Sequence, residues 1–94
     1  MFKIFFREKS LKFLQKINRS QQLSINSALD NLSAEKFILL DIKKIKEAEN
    51  GYRLRVGRWR ILLTMFSTEK RIEIVDIFLK KSESDYQKRI NLFK

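Results

Sequence analysis

Three arginines in the middle of the chain are spaced to share one face of a hairpin. In Gly51-Tyr52-Arg53-Leu54-Arg55-Val56-Gly57-Arg58-Trp59-Arg60-Ile61-Leu62-Leu63, Tyr52, Leu54 and Val56 alternate with Arg53 and Arg55. Trp59, Ile61 and Leu63 alternate with Arg60 and Leu62. That period of two predicts two strands. Gly57-Arg58 suits a two-residue type II′ turn, in which glycine supplies the positive φ. The turn fixes a register: Val56 faces Trp59, Arg55 faces Arg60, Leu54 faces Ile61 and Arg53 faces Leu62. Directly opposed side chains lie about 5 Å apart at Cβ, and like charges there repel. No acid between residues 50 and 68 relieves them. Two readings follow. The face is either a solvated one whose long side chains splay apart at little cost, or an anion site. Arginine's planar fork matches phosphate, and three converging forks would collect a polyanion backbone.

Composition favours the anion site. Twenty-one Lys and Arg stand against eleven Asp and Glu, for a formal charge of +10 and a pI near 10.2. A surplus of that size attracts nucleic acid, ribosomes or anionic membranes. The 94 residues make one domain, residues 1–94, which can bury a single core but no deep substrate cavity. Hydrophobic residues make up 44% of the chain, too many for disorder. Cysteine is absent, which excludes disulfides and thiolate metal sites. Histidine is absent too, which excludes imidazole as base or metal ligand. No cofactor or metal is expected. The apolar run at the N-terminus is too short for a signal peptide, and none approaches membrane-spanning length. A cytoplasmic protein without membrane contact is the default.

The remaining elements must position that hairpin. Phe2 to Phe6 suits a strand. Leu11, Leu14 and Ile17, with Phe13 beside them, predict an amphipathic helix over Lys9 to Ile17. Ser20 is a candidate N-cap for a second helix with a stripe of Leu23, Ala28, Leu29 and Leu32. A short connection makes the two an antiparallel helical hairpin. Phe37-Ile38-Leu39-Leu40 fits a helix end, a strand start or a buried turn. In Asp41-Ile42-Lys43-Lys44-Ile45-Lys46, Ile42 and Ile45 anchor a basic surface, and Glu47 to Gly51 reads as an exposed loop. Ser67 to Lys70 is a second turn. Arg71 to Lys80 is the last strand, apolar on both faces and therefore central. Ser82 starts a final helix with Asp85 at its third position, as in a capping box. Tyr86, Ile90 and Phe93 form its stripe against the sheet.

Leu40-Asp41-Ile42-Lys43-Lys44-Ile45-Lys46 and the following Tyr52-Arg53-Leu54-Arg55-Val56-Gly57-Arg58-Trp59-Arg60-Ile61 resemble the core signature of the RelE/ParE superfamily of toxins. Leu79-Lys80-Lys81-Ser82-Glu83-Ser84-Asp85-Tyr86 is similar to the basic residue and tyrosine that follow the family's last strand. The order of elements agrees over essentially the whole chain. The resemblance implies an α+β fold: two N-terminal helices packed on a curved, mainly antiparallel four-stranded sheet, with a short C-terminal helix. It implies the toxin of a type II toxin–antitoxin system, a metal-independent endonuclease that cuts mRNA in the ribosomal A site. Ribosome, mRNA and a cognate antitoxin are the implied partners. The family's basic positions fall on Arg53, Arg55, Arg60 and Lys80, and its tyrosine on Tyr86. Lysine at 80 stands where RelE-type members often carry arginine or histidine.

In that chemistry a 2′-hydroxyl attacks the adjacent phosphate. It must lose its proton, the phosphorane's charge must be stabilised, and the leaving 5′-oxygen must gain a proton. Preorganised guanidinium groups meet the second need. Arg60, opposite Arg55, is the candidate for phosphate stabilisation. Lys80 could transfer protons if positive neighbours depress its pKa, and Tyr86 could orient the nucleophile or stack on a base. Arg53, Arg58, Lys43, Lys44, Lys46 and Lys81 are the candidate RNA-binding cations. A four-residue turn at Ser67 to Lys70 puts Lys80 on the face away from Arg60, unless the strand bulges or ends before it. Asp76 is a candidate partner for a structural arginine, and Trp59 a core residue. Two alternatives remain: a ParE-like inhibitor of DNA gyrase with the same fold, and a non-enzymatic RNA- or ribosome-binding module.

Overall fold

The computed structural model describes all residues, Met1 to Lys94. Strand β1 (Lys3–Phe6) leads into helices α1 (Glu8–Lys16) and α2 (Arg19–Ser33). Strands β2 (Asp41–Lys44), β3 (Gly51–Val56), β4 (Trp59–Phe66) and β5 (Arg71–Leu79) follow, and helix α3 (Ser84–Arg89) runs into a closing 3-10 turn, Ile90–Phe93. The sheet has five strands in the order β1-β5-β4-β3-β2, one more than the four expected. The added strand is β2 at the edge, antiparallel to β3, with Asp41 opposite Arg55 and Lys43 opposite Arg53. Only β1, beside β5, is parallel. The preceding Phe37–Leu39 is a single 3-10 turn, with Ile38 and Leu39 exposed.

The expected hairpin register holds at every pair from Val56–Trp59 to Arg53–Leu62. Gly57 has φ +60° while Arg58 keeps a negative φ, as a type II′ turn requires. Alternation along these strands separates two cores. On one face Leu54, Ile61, Leu63, Ile72, Ile74 and Ile77 pack against Leu14 of α1 and Ile25, Leu29 and Leu32 of α2. On the other, Leu62, Val75 and Phe78 pack with Ile45 and Ala48, and Tyr86, Ile90 and Phe93 of the C-terminal segment cover them. The last strand is therefore covered on both faces, and the last helix lays its stripe on the sheet, as the sequence predicts. Trp59 also joins a core, its ring edge-on to Phe13 with centroids 5.5 Å apart.

Several local expectations are corrected. Asn18, not Ser20, caps α2: its side chain accepts from the Gln21 amide at 2.9 Å. The buried stripe of α2 is Ile25, Leu29 and Leu32, at i, i+4 and i+7, and Leu23 falls off it into solvent. Leu11 of α1 is likewise exposed. The Glu47–Gly51 loop is not wholly exposed, since Ala48 and Gly51 are buried under Phe93. Two contacts fasten the C-terminal segment. Arg89 pairs with Asp76 at 2.8 Å and lies 3.9 Å over the Phe78 ring, and Arg7 donates to the Leu92 carbonyl at 2.6 Å.

Candidate active site

The face of Lys80 is decided by one irregularity. Between β4 and β5, Leu62 opposes Asp76 while Leu63 opposes Ile74, so Val75 bulges without a partner. The bulge returns the following residues to the other alternation. Arg60 then opposes Phe78, and Lys80 falls on the face of Arg60. Its amide donates to the Arg58 carbonyl at 3.2 Å, which anchors it beside the hairpin. The strand bulges, the condition under which the sequence places Lys80 with the arginines.

The hairpin arginines are held rather than splayed. Arg60 Nη1 donates to the carbonyls of Gly57 at 2.9 Å and Trp59 at 3.0 Å, and Arg55 Nε donates to the same Gly57 carbonyl at 3.4 Å. One turn carbonyl thus accepts from both opposed guanidinium groups. On the adjacent side, the Arg53 guanidinium lies 4.7 Å from the centroid of the Tyr86 ring and Lys80 Nζ lies 5.4 Å from it. Phe78 braces that ring edge-on at 5.8 Å. Tyr86 is therefore both core and site: it packs on the second core with one part and carries two cations with another. Arg53, Arg55, Arg60, Lys80, Tyr86 and Lys43 come together around a cleft of about 200 Å³.

Sequence reasoning did not anticipate the cleft's two carboxylates. Asp41 reaches Arg55 at 3.8 Å across the β2–β3 pair, and Glu83 forms an ion pair with Lys80. The hydrogen bond and charge of Lys80, with further help from Arg53 and Arg60, hold the Glu83 carboxyl below its ordinary value of 4.5. Glu83 is thus an anion seated among the cations of the cleft. Glu83 reaches Lys80 across the turn that follows β5, and Asp41 arrives with β2, so neither carries a signal of its own in the sequence. The other basic candidates lie outside this cleft. Lys44 and Lys46 line a neighbouring cavity, Arg58 borders a groove beside α2, and Lys81 is exposed, with its amide donating to Asp85 at 2.7 Å.

The architecture has relatives among solved structures. The archaeal RelE–RelB complex from Pyrococcus horikoshii contains a chain that superposes with a TM-score of 0.73 at 20% identity, covering 83% of this chain and 93% of that one. The RelB–RelE antitoxin–toxin complex from Methanococcus jannaschii gives 0.70 at 27% identity over 87% and 96%. The isolated Escherichia coli RelE toxin gives 0.71 at 12% identity over 97% of both chains. This is the RelE-like toxin fold. No family model and no curated protein matches the chain by sequence. Within that fold the cluster around Arg60 sits at the hairpin end of the sheet, and α3 covers the rest of the same face. No helix is long and apolar enough to cross a membrane.

Proposed function

We propose that this chain is the toxin of a type II toxin–antitoxin system and cuts ribosome-bound mRNA by 2′-hydroxyl attack on the adjacent phosphate. One observation carries the reading: Arg55, Arg60 and Lys80 line one cleft with Arg53, whose guanidinium faces Tyr86. Arg60, anchored by two turn carbonyls, presents its remaining donors to a phosphate and stabilises the charge that builds on its oxygens. Arg55 supports the same phosphate, and Arg53 and Lys43 guide the strand. Lys80, with four cations around the same cleft, supplies the proton to the departing 5′-oxygen once a phosphate has displaced Glu83. Tyr86 orients the attacking ribose, whose 2′-hydroxyl gives its proton to a solvent water as its oxygen bonds to phosphorus and the 5′-oxygen departs. Two of the structural neighbours are toxins bound to RelB, which supports an antitoxin as partner here. An acidic one suits a chain of charge +10.

The test is cleavage of an mRNA programmed into the ribosomal A site, read by primer extension, for the wild type and Arg60→Ala. A codon-positioned cut that Arg60→Ala slows tenfold or more, about 1.4 kcal/mol of transition-state stabilisation, supports the reading. Intact mRNA on active ribosomes with folded wild-type protein overturns it, and gyrase inhibition is then the next assay.

A further inference from the structure

Lys80 is held from both sides of its Cα. Its own amide donates to the Arg58 carbonyl at 3.2 Å. The next amide, that of Lys81, donates to Asp85 Oδ2 at 2.7 Å, and the Ser82 amide donates to the same oxygen at 2.9 Å. The peptide planes before and after Lys80 are therefore both pinned, one by the hairpin and the other by the first turn of α3. A residue's only soft backbone torsions lie between its two planes, so pinning both sets the direction of Cβ. Asp85 is suited to keep this hold. Its side chain is 14% exposed. Hydrogen bonds from the Lys81 amide and then the Ser82 amide hold its carboxyl below the ordinary 3.8, so it stays ionised. Arg89 donates to the Asp85 carbonyl at 3.0 Å and pairs with Asp76 of β5 at 2.8 Å, tying the turn to the sheet. Asp85 itself does not border the cleft.

We infer that Asp85 is a positioning residue that aims Lys80 at the departing 5′-oxygen. The inference rests on the ribonuclease reading and deepens it. In that step the 2′-oxygen bonds to phosphorus and its proton goes to water. The bond from phosphorus to the 5′-oxygen breaks, and the Lys80 ammonium passes one proton to that oxygen, which leaves as a hydroxyl. Proton transfer requires hydrogen-bond reach and contributes about 10²–10⁴-fold. A misplacement of about 1 Å can cost about 10²-fold. Without the Asp85 carboxylate, the Lys81 and Ser82 amides lose their acceptor and the peptide after Lys80 is free to turn. Arg55 and Arg60 keep their places, because the carbonyls that anchor them belong to the hairpin. The loss of Asp85 therefore falls on the proton donor and spares the phosphate site.

The test is single-turnover cleavage of two ribosome-bound mRNAs, one with the natural 5′-oxygen at the scissile phosphate and one with sulfur in its place. Thiols are far stronger acids than alcohols, so the sulfur leaves as a thiolate and needs no aimed proton donor. Asp85→Ala should slow the oxygen substrate about tenfold or more and leave the sulfur substrate close to the wild-type rate. Asp85→Asn, whose side-chain oxygen can accept from the same two amides, should restore most of the oxygen rate. Lys80→Ala should show the same selective loss, and the double variant should be no slower than Lys80→Ala alone. Equal slowing of both substrates by Asp85→Ala overturns the inference, since an unseated helix lowers both rates alike. An unchanged oxygen rate overturns it too, and either result leaves the ribonuclease standing. Wild-type protein that cuts neither substrate overturns the ribonuclease reading and the inference together.

Discussion

Glu83→Gln tests whether the chain shields the proposed phosphate site. The cleft is lined by Lys43, Arg53, Arg55, Arg60 and Lys80 against Asp41 and Glu83, a formal surplus of three positive charges that the substitution raises to four. Gln can keep a hydrogen bond to Lys80 but removes the charge that competes with phosphate. If Lys80 then gains one phosphate contact, the log–log salt slope for single-stranded RNA steepens by about 0.7. Relative to 1 M salt, that increment corresponds to about fivefold tighter binding at 0.1 M. The assay is fluorescence anisotropy with a labelled 2′-O-methyl oligoribonucleotide, which binds but cannot cyclise, titrated across a range of sodium chloride concentrations. Because Glu83 is held below its ordinary 4.5, mild acidification to pH 5 leaves it ionised, and the wild type should gain no affinity there. A Glu83→Gln variant that binds no more tightly, with a slope parallel to the wild type, would refute the idea that Glu83 occupies the phosphate's place.

Arg89→Ala should loosen α3 alone: losing a partly exposed ion pair to Asp76, about 1.5 kcal/mol for a charged hydrogen bond, speeds amide exchange in Tyr86–Ile90 roughly tenfold. Exchange that rises equally in β4, or nowhere, contradicts this. Gly51→Ala places a Cβ 2.6 Å from Ala48 Cβ and 3.0 Å from Phe93, and urea melts should show an overpacking cost of about 1–3 kcal/mol. Gly57→Ala meets open space but forces alanine to φ +60°, about 1–2 kcal/mol; a variant as stable as wild type would discount the turn. Glu35, Glu83 and Asp85 are all lowered, by hydrogen bonds from the N-terminal ammonium, from Lys80 and from the Lys81 amide respectively as the largest causes. Lowered carboxylates stabilise the fold fully above their unfolded values of 4.5 and 3.8 and lose that contribution as pH falls through the folded ones. The melting temperature should therefore hold from pH 7 to about 5.5 and fall below roughly pH 4; a fall already between pH 7 and 5.5 would contradict the assignment.

The hairpin was legible because turn chemistry and alternation are both local: a glycine at 57 and a period of two set the whole register. Strand β2 was not, because it is an edge strand of four residues with only Ile42 turned inward, and pairing to β3 rather than its own pattern makes it a strand. The stripe of α2 was misread at Leu23 because Asn18 caps the helix and the residues facing the sheet start at Ile25. The arginine cluster could be placed from sequence; the acids that partly neutralise it could not. Asp41 arrives through a strand pairing, and Glu83 through the turn that follows β5.

The bulge at Val75 has no sequence signature, yet it links the second core to the site. It turns both Val75 and Asp76 toward α3: Val75 packs into the core beneath Tyr86, Ile90 and Phe93, and Asp76 receives Arg89. The same slip of one residue carries Phe78 opposite Arg60 and so delivers Lys80 to the arginine face. An unbulged β5 would keep its alternation, strand the Asp76 carboxylate on the helix-packed face among Ile61 and Leu54, and send Lys80 away from the cleft. Burying that carboxylate unpaired carries a large penalty, so the requirement that Asp76 meet Arg89 itself favours the bulge. The docking of α3 and the position of Lys80 are consequently one structural choice. The helix that brings Tyr86 to Arg53 also seats on the strand irregularity that brings Lys80 to Tyr86.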